Sequence, residues 1–489
     1  MKESHNGLTA GQLAMMALGT VVGGSFFLGS SVAIRAAGPA VVISYILGGI
    51  LVYFILFALS EMTVADAPPG SFRTFAEKAY GPGVGFVVGW VYWTGIALAM
   101  SSEATAVSIF LKGWIPNISL PLIGSIIIIV VTLLNLLGAD KLSKLESGLA
   151  IIKLLAIVGF IVLGIMLIFD IGLDAPKIGM GALQQESWFS GGILGIAGSM
   201  LIVMFTYAGF EIIGLAASET SNPHKTVPKA IAYTVIILVG LYVAAIMVLL
   251  PLIPISQFTE EKSPMVLALT RWNLGWAGRV MNVVLITAIL STMLAAMFGL
   301  GRMIRSLADE GHAPLWLKDK GDIPYRGIIF SGVAMLLGLF FGFVLPEKVY
   351  IFLVSSGGFA LLFTYLVILA THHKFRKKNG CPPNGKCQLP GYPFSSWIAM
   401  LSLMGIILSM PLVEGQGYGL IAGVTLVLLY TALYFVKKYF SKNLKEGIYK
   451  DKVSKSIKPI RIIIPKAHME TSEELIPDKI KREEKKKKQ

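Results

Sequence analysis

Three charged side chains fall inside long apolar stretches, and these are the residues whose chemistry must be explained first. Lys153 lies in Ala150-Ile151-Ile152-Lys153-Leu154-Leu155-Ala156, Glu103 follows Met100-Ser101-Ser102, and Glu211 ends Phe205-Thr206-Tyr207-Ala208-Gly209-Phe210-Glu211. A charge placed in hydrocarbon costs about 3 kcal/mol on insertion scales, so it marks a function unless its side chain reaches the interface. Lys153 therefore has two readings: a stem that snorkels from roughly 10 Å deep, or a buried ammonium that binds and releases a proton. Glu103 and Glu211 are read as members of a proton path. Glu211 has a second reading, in which it holds a broken helical segment by accepting backbone amides. Glu61 and Glu219 fall at the ends of apolar stretches and are read as solvated gate or capping groups.

The elements that position these groups are membrane-spanning helices. The chain has 489 residues, 55% hydrophobic and 14% charged, against about 25% charged in a soluble domain. Windows of about 20 residues, enough to cross the hydrocarbon, give twelve spans. They cover 10–36, 40–65, 84–111, 119–139, 148–169, 190–217, 228–253, 277–304, 326–344, 347–371, 396–412 and 415–439. The first is interrupted by Gly19-Thr20-Val21-Val22-Gly23-Gly24-Ser25, and the sixth by the segment ending in Glu211. Each interior glycine costs a helix about 1 kcal/mol, so both stretches predict breaks. The alternative for either is close packing of small residues. Spans one and six open two successive sets of five, and breaks at matching places in two halves point to the midplane site of a secondary transporter. Unwound backbone there offers amides to a carboxylate and carbonyls to an ammonium, an arrangement suited to a zwitterion.

The formal charge of +14 in a soluble protein would point to nucleic acid. Here it is a topology signal: basic residues in the loops on the N-terminal side outnumber those opposite by about two to one, which places both termini in the cytoplasm of a cell-membrane protein. Residues 437–489 carry about +9 of the charge. They are read as a disordered tail lying on anionic lipid of the inner leaflet, and no nucleic-acid partner is expected. No HExxH, GxxxxGK[ST] or CxxC motif occurs, so zinc hydrolases, P-loop pumps and redox domains lose their signatures. Cys381 and Cys387, with His372 and His373 upstream, are too few and too spread for a zinc site and are read as reduced thiols. No enzyme chemistry, metal or cofactor is expected beyond a coupling ion.

Several segments resemble bacterial amino acid permeases of the amino acid-polyamine-organocation superfamily. They are Gly19 to Ser30, Ala37-Gly38-Pro39-Ala40, Ser60-Glu61-Met62, Pro69-Gly70-Ser71-Phe72, Gly89-Trp90-Val91-Tyr92-Trp93, Glu211-Ile212-Ile213-Gly214 and Arg302 to Pro314. The resemblance runs from about residue 7 to 440. It implies an all-α integral membrane protein with the leucine-transporter-like 5+5 inverted repeat, discontinuous helices 1 and 6, and two additional helices. On that plan 1–9 is a cytoplasmic N-terminus, 10–171 and 190–371 are the repeats, 396–440 holds the last two spans, and 441–489 is the tail. The resemblance implies a substrate carboxylate on the amides of Gly23, Gly24 and Ser25, and a substrate ammonium on carbonyls of Thr20, Val21, Phe205 and Ala208. Phe205 is expected to gate the site. Ile96 and Met100 are expected in the side-chain pocket, with ordinary core packing as the other reading of these two and of Phe205. Relatives with a lysine at the place of Lys153 imply proton coupling, while Ser291 and Thr292 leave a sodium site open. The expected function is amino acid import by proton symport. An ion-independent exchanger and a transporter-like receptor are the alternatives, and neither the amino acid nor the oligomeric state is fixed by the sequence.

Overall fold

The computed structural model describes residues 8–456 except 67, 69, 173–177, 217–219, 221, 260–261, 320, 322, 345–348, 382–388 and 414. The chain begins as α1 (Ala10–Val21), which opens on a capping box. Thr9 Oγ1 accepts from the Gln12 amide at 3.3 Å, and the Gln12 side chain accepts from the Thr9 amide at 2.9 Å, so two of the orphan donors at this end are satisfied. Two non-helical residues, Val22 and Gly23, separate α1 from α2 (Gly24–Phe27) and α3 (Gly29–Ala37). The helices that follow are α4 (Val41–Ala65), α5 (Ser71–Tyr80), α6 (Pro82–Lys112), α7 (Leu120–Asn135) and α8 (Ala139–Phe169). A second interrupted pair, α9 (Gly192–Thr206) and α10 (Ile212–Ala216), precedes α11 (Pro223–Leu252), α12 (Pro264–Arg271) and α13 (Gly275–Asp309). The series ends with α14 (Tyr325–Val344), α15 (Val349–Asn379), α16 (Phe394–Ser409) and α17 (Gln416–Ser456).

Among the described residues, nine helical stretches are long and apolar enough to cross a membrane, and α1, α7 and α9 are shorter apolar helices. Both α1 and α9 are short because each stops at one of the expected breaks. The protein is thus an all-α, multi-pass membrane protein, and its large exposed side chains, such as Leu155, Leu401 and Ile421, face hydrocarbon rather than water.

The two short helices α5 and α12 stand outside the expected spans. In α5, five of the first six residues, Ser71, Phe72, Arg73, Phe75 and Ala76, are buried, against α6 and α15. Span ten runs about two turns past its expected end, to Asn379. The last helix continues to Ser456 instead of ending near 439, so residues 441–456 of the expected disordered tail are helical. Residues 457–489 lie outside the described residues. By internal packing, the described residues up to Tyr434 form one compact unit and those from Phe435 onward another.

Candidate binding site at the two helix breaks

The break in span one exposes the last carbonyls of α1 and the first amides of α2, and each end meets an opposite charge. Gly19 allows α8 to approach closely: a Cβ there would sit 3.1 Å from that of Ala150. One turn on from Ala150, Lys153 is fully buried. Its ammonium donates to the Gly19 carbonyl and, at 3.3 Å, to Thr292 Oγ1 on α13. Thr292 Oγ1 lies 3.1 Å from the Val22 carbonyl inside the break and 3.2 Å from that of Ala288. The buried ammonium, not a snorkelling stem, is the arrangement found. It stands at the negative end of the α1 dipole.

At the other end Glu103, on α6, accepts from the amides of Gly24 at 2.7 Å and Ser25 at 3.0 Å. These are two of the three amides expected to hold a substrate carboxylate, and here a side chain of the protein occupies them. The physical reason is general: unpaired amides in a bilayer are costly, and a carboxylate within reach satisfies two at once.

Span six breaks at Tyr207–Glu211. Gly209 has a positive φ of 106°, a conformation that costs other residues roughly 1–2 kcal/mol. The Glu211 carboxylate folds back on the turn and accepts from the Gly209 amide at 3.1 Å, from Tyr92 Oη on α6 at 2.8 Å and from Tyr365 Oη on α15 at 3.3 Å. The two breaks touch, because Thr20 Oγ1 donates to the Gly209 carbonyl at 3.2 Å. Tyr92 falls in one of the segments that carry the resemblance and Tyr365 carries no signal beyond its type, but in both cases only the fold brings the phenol to Glu211.

A cavity of about 850 Å³ opens beside the breaks. Of the expected site residues Thr20, Val21, Ser25, Ile96, Met100, Glu103, Phe205, Ala208 and Glu211 line it, whereas Gly23, Gly24 and Lys153 lie behind its wall. It extends along α13 past Phe298 to Arg302, Arg305 and Asp309, at the face from which α1 starts. Toward the opposite face the way is shut by aromatic rings. Phe26 stacks on Tyr242 at 3.8 Å between centroids, and Tyr45 meets both edge-on at 6.1 and 6.0 Å. Tyr207 closes the group, donating to the Tyr45 carbonyl at 2.9 Å, and all four rings are fully buried.

Two polar clusters at the α1-start face were missed. Arg73, buried on α5, pairs with Glu77 at 3.1 Å and with Glu310, and donates to Ser306 Oγ at 3.2 Å. His312 lies 3.3 Å from Glu77 and so belongs to this cluster. Glu77, Glu310 and His312 converge closely enough to hold an ion, but the Arg73 guanidinium already supplies the cation. Burial raises the Glu310 carboxyl, and Arg73, with Glu77 and His312, outweighs it and holds the group below its usual range. The second cluster corrects the solvated reading of Glu61. That carboxylate is fully buried, 2.7 Å from His372, 2.9 Å from Arg376 and 2.7 Å from the Leu389 amide. Cys381 is disulfide-bonded, not the reduced thiol expected. Cys387 and Glu219 lie outside the described residues.

The geometry thus joins two broken helices, a buried lysine and a one-sided cavity inside a multi-pass bundle. Comparison with known proteins agrees with that architecture. The family model for amino acid permeases matches residues 12–453. An uncharacterised amino acid permease of Bacillus subtilis (strain 168) is 32% identical over 450 residues, covering 90% of this chain and 97% of the relative. The gamma-aminobutyric acid permease of the same organism is 31% identical, covering 87% and 94%. The aromatic amino acid transport protein of Escherichia coli (strain K12) is 30% identical, covering 85% and 92%. On the extent of that match and the fold that accompanies it, the chain belongs to the amino acid permease family.

Proposed function

We propose that the protein imports an amino acid by proton symport with alternating access, in the cell membrane with both ends in the cytoplasm. The basic loops assign the α1-start face to the cytoplasm, and on that assignment the cavity opens inward while the aromatic group at Phe26 and Tyr242 closes the outer side. Residues 10–171 and 190–371 are taken as the two inverted repeats. The relatives' names support an amino acid as substrate; since they specify gamma-aminobutyric acid in one case and aromatic amino acids in another, they leave the side chain open.

The observation that carries the coupling is Lys153. Protonated, its ammonium is held between the Gly19 carbonyl and Thr292 Oγ1, and it ties the end of α1 to α13. Loss of the proton removes a cation from that junction and frees the break to rearrange around the substrate. A sodium ion would need the same Thr292 oxygen, so the ammonium stands where such an ion would sit.

The test is uptake by the purified protein in proteoliposomes under an inward proton gradient, with and without a protonophore. Lys153→Ala is expected to abolish accumulation against a gradient while substrate binding stays measurable. Concentrative uptake equal to the wild type would overturn the proton role of Lys153. Wild-type accumulation that ignores the protonophore and follows a sodium gradient would move coupling to Ser291 and Thr292. Exchange without accumulation under either gradient would leave the ion-independent exchanger.

A further inference from the structure

We infer that the transported amino acid carries a large apolar side chain, of leucine to phenylalanine size. The inference rests on the transport reading above and concerns which substrates the cavity accepts.

The cavity wall has two chemically different parts. Beside the breaks it is polar, with Thr20, Ser25 and unwound backbone, which suits the zwitterionic end common to all α-amino acids. Next to it lies an apolar part: Ile96, Ala99 and Met100 from α6, Ala295 and Ala296 from α13, and Leu361 from α15. The three α6 residues are spaced i, i+3, i+4 and so share one helical face. Ala295 and Ala296 continue, one turn on, the face of α13 that presents Thr292. None of these side chains can donate a hydrogen bond, and the Met100 sulfur is the one weak acceptor among them.

Size follows from α13. Its neighbouring positions 293, 294 and 297 are Met, Leu and Met, all buried in the bundle, whereas Ala295 and Ala296, which border the apolar part of the cavity, are small. Larger residues there would fill the space that Ile96 and Met100 face across the cavity, so the alanines leave room for an apolar group supplied by the substrate.

Charge follows from the partners already present. Glu103 is committed to two amides and Glu211 to an amide and two phenols. Arg305 lies 3.8 Å from Asp309 and donates to the Gly321 carbonyl at 2.7 Å, and the Arg302 guanidinium stands 4.6 Å over the Phe298 ring. A charged substrate side chain entering the apolar part would give up water with no opposite charge set there to receive it. An apolar one gains by burial in proportion to its area.

The experiment is transport by the purified full-length protein in proteoliposomes, with labelled leucine, phenylalanine, alanine, lysine and aspartate each preloaded or added outside. Leucine or phenylalanine is expected to give a KM at least about tenfold below that of alanine, from the extra apolar area buried, with lysine and aspartate weaker still. Ala296→Leu is expected to lower the ratio of kcat/KM for phenylalanine over alanine by at least about tenfold, because the added side chain occupies the same space. Lysine, aspartate or alanine transported better than both large apolar substrates by the wild type would overturn the inference and leave the transport reading intact. An unchanged phenylalanine-to-alanine ratio in an active Ala296→Leu protein would also overturn it. The wild-type panel decides the question if that variant does not fold. Failure of all five substrates to exchange or accumulate would instead remove the transport reading, and the inference with it.

Discussion

Glu211 shows how a charge in a membrane helix can serve the backbone. Its carboxylate receives the Gly209 amide and two phenol hydroxyls from α6 and α15, so three elements are fixed around one turn. A hydrogen bond to a charged group contributes about 1.5–3 kcal/mol. Glu211→Gln keeps the shape but must pair an amide NH₂ where one of these donors points. It is expected to lower the stability of the detergent-solubilised protein by about 1–3 kcal/mol, read from thermal unfolding, and Tyr92→Phe by about 1 kcal/mol. Because the two share one bond, the double variant should lose less than the sum; strict additivity would show that the 2.8 Å contact carries no energy. Glu211 was visible in the sequence as an acid at membrane depth. Its phenol partners were not, since Tyr92 and Tyr365 lie 119 and 154 positions away and nothing in their local pattern departs from an aromatic in a bundle core.

Among the elements, the broken helices were the most legible, because glycine's cost in a helix is local and needs no partner to be recognised. The Gly209 turn is the sharper case. A Cβ there would lie 3.0 Å from the Thr20 carbonyl oxygen, at a φ that L side chains rarely adopt, so Gly209→Ala should destabilise by about 1–2 kcal/mol from backbone strain alone and weaken substrate binding as span one is pushed aside. Gly11, in α1, has nothing within 4 Å of an added Cβ. Gly11→Ala should therefore be neutral or stabilising by up to about 1 kcal/mol, and comparable losses in both variants would show that strain at the turn is not the cause. The charge clusters were less legible for a related reason. Arg73 and Glu61 look solvated when only their own loop or helix end is considered; burial comes from α6 and α15 in the first case and from α15 in the second. The short helix α5 escaped because its ten residues are too few to register as a span, although its apolar face is what carries Arg73 inward. That junction also has a defined pH response. The Glu310 carboxyl is held below its usual range, so the stabilisation it provides is fully present above the unfolded value of about 4.3 and disappears as pH falls through the lower folded value. The thermal stability of Glu310→Gln should fall short of the wild type above the unfolded carboxyl value and converge with it in stronger acid, as the carboxylate takes up its proton. A gap that persisted unchanged in strong acid would contradict the Arg73–Glu310 pairing.

At the scale of the whole bundle, the two sides of the breaks differ in one decisive respect: one has a water-sized path, the other a stack of buried rings. The cavity runs along α13 past Phe298 and Arg302 to Asp309, where that helix ends. The opposite route is closed by Phe26, Tyr45, Tyr207 and Tyr242, drawn from four different spans. Each ring is an ordinary apolar residue in its own span, and their convergence depends on how spans one, two, six and seven cross, which no local pattern encodes. Accessibility follows directly. A single cysteine at Phe298, in a protein whose Cys381 and Cys387 are replaced by serine, should react with a membrane-impermeant maleimide in inside-out vesicles and stay protected in right-side-out ones. A residue of the ring group should be protected from both sides, so Tyr242→Cys is the matched control. Opening the stack with Phe26→Ala should expose the Phe298 site from outside as well, because removing a fully buried phenyl leaves a void joined to the cavity by the broken segment. Equal labelling of the Phe298 site from both sides in the protein with Phe26 intact would overturn the one-sided opening, and labelling only from outside would reverse the orientation assigned from the basic loops.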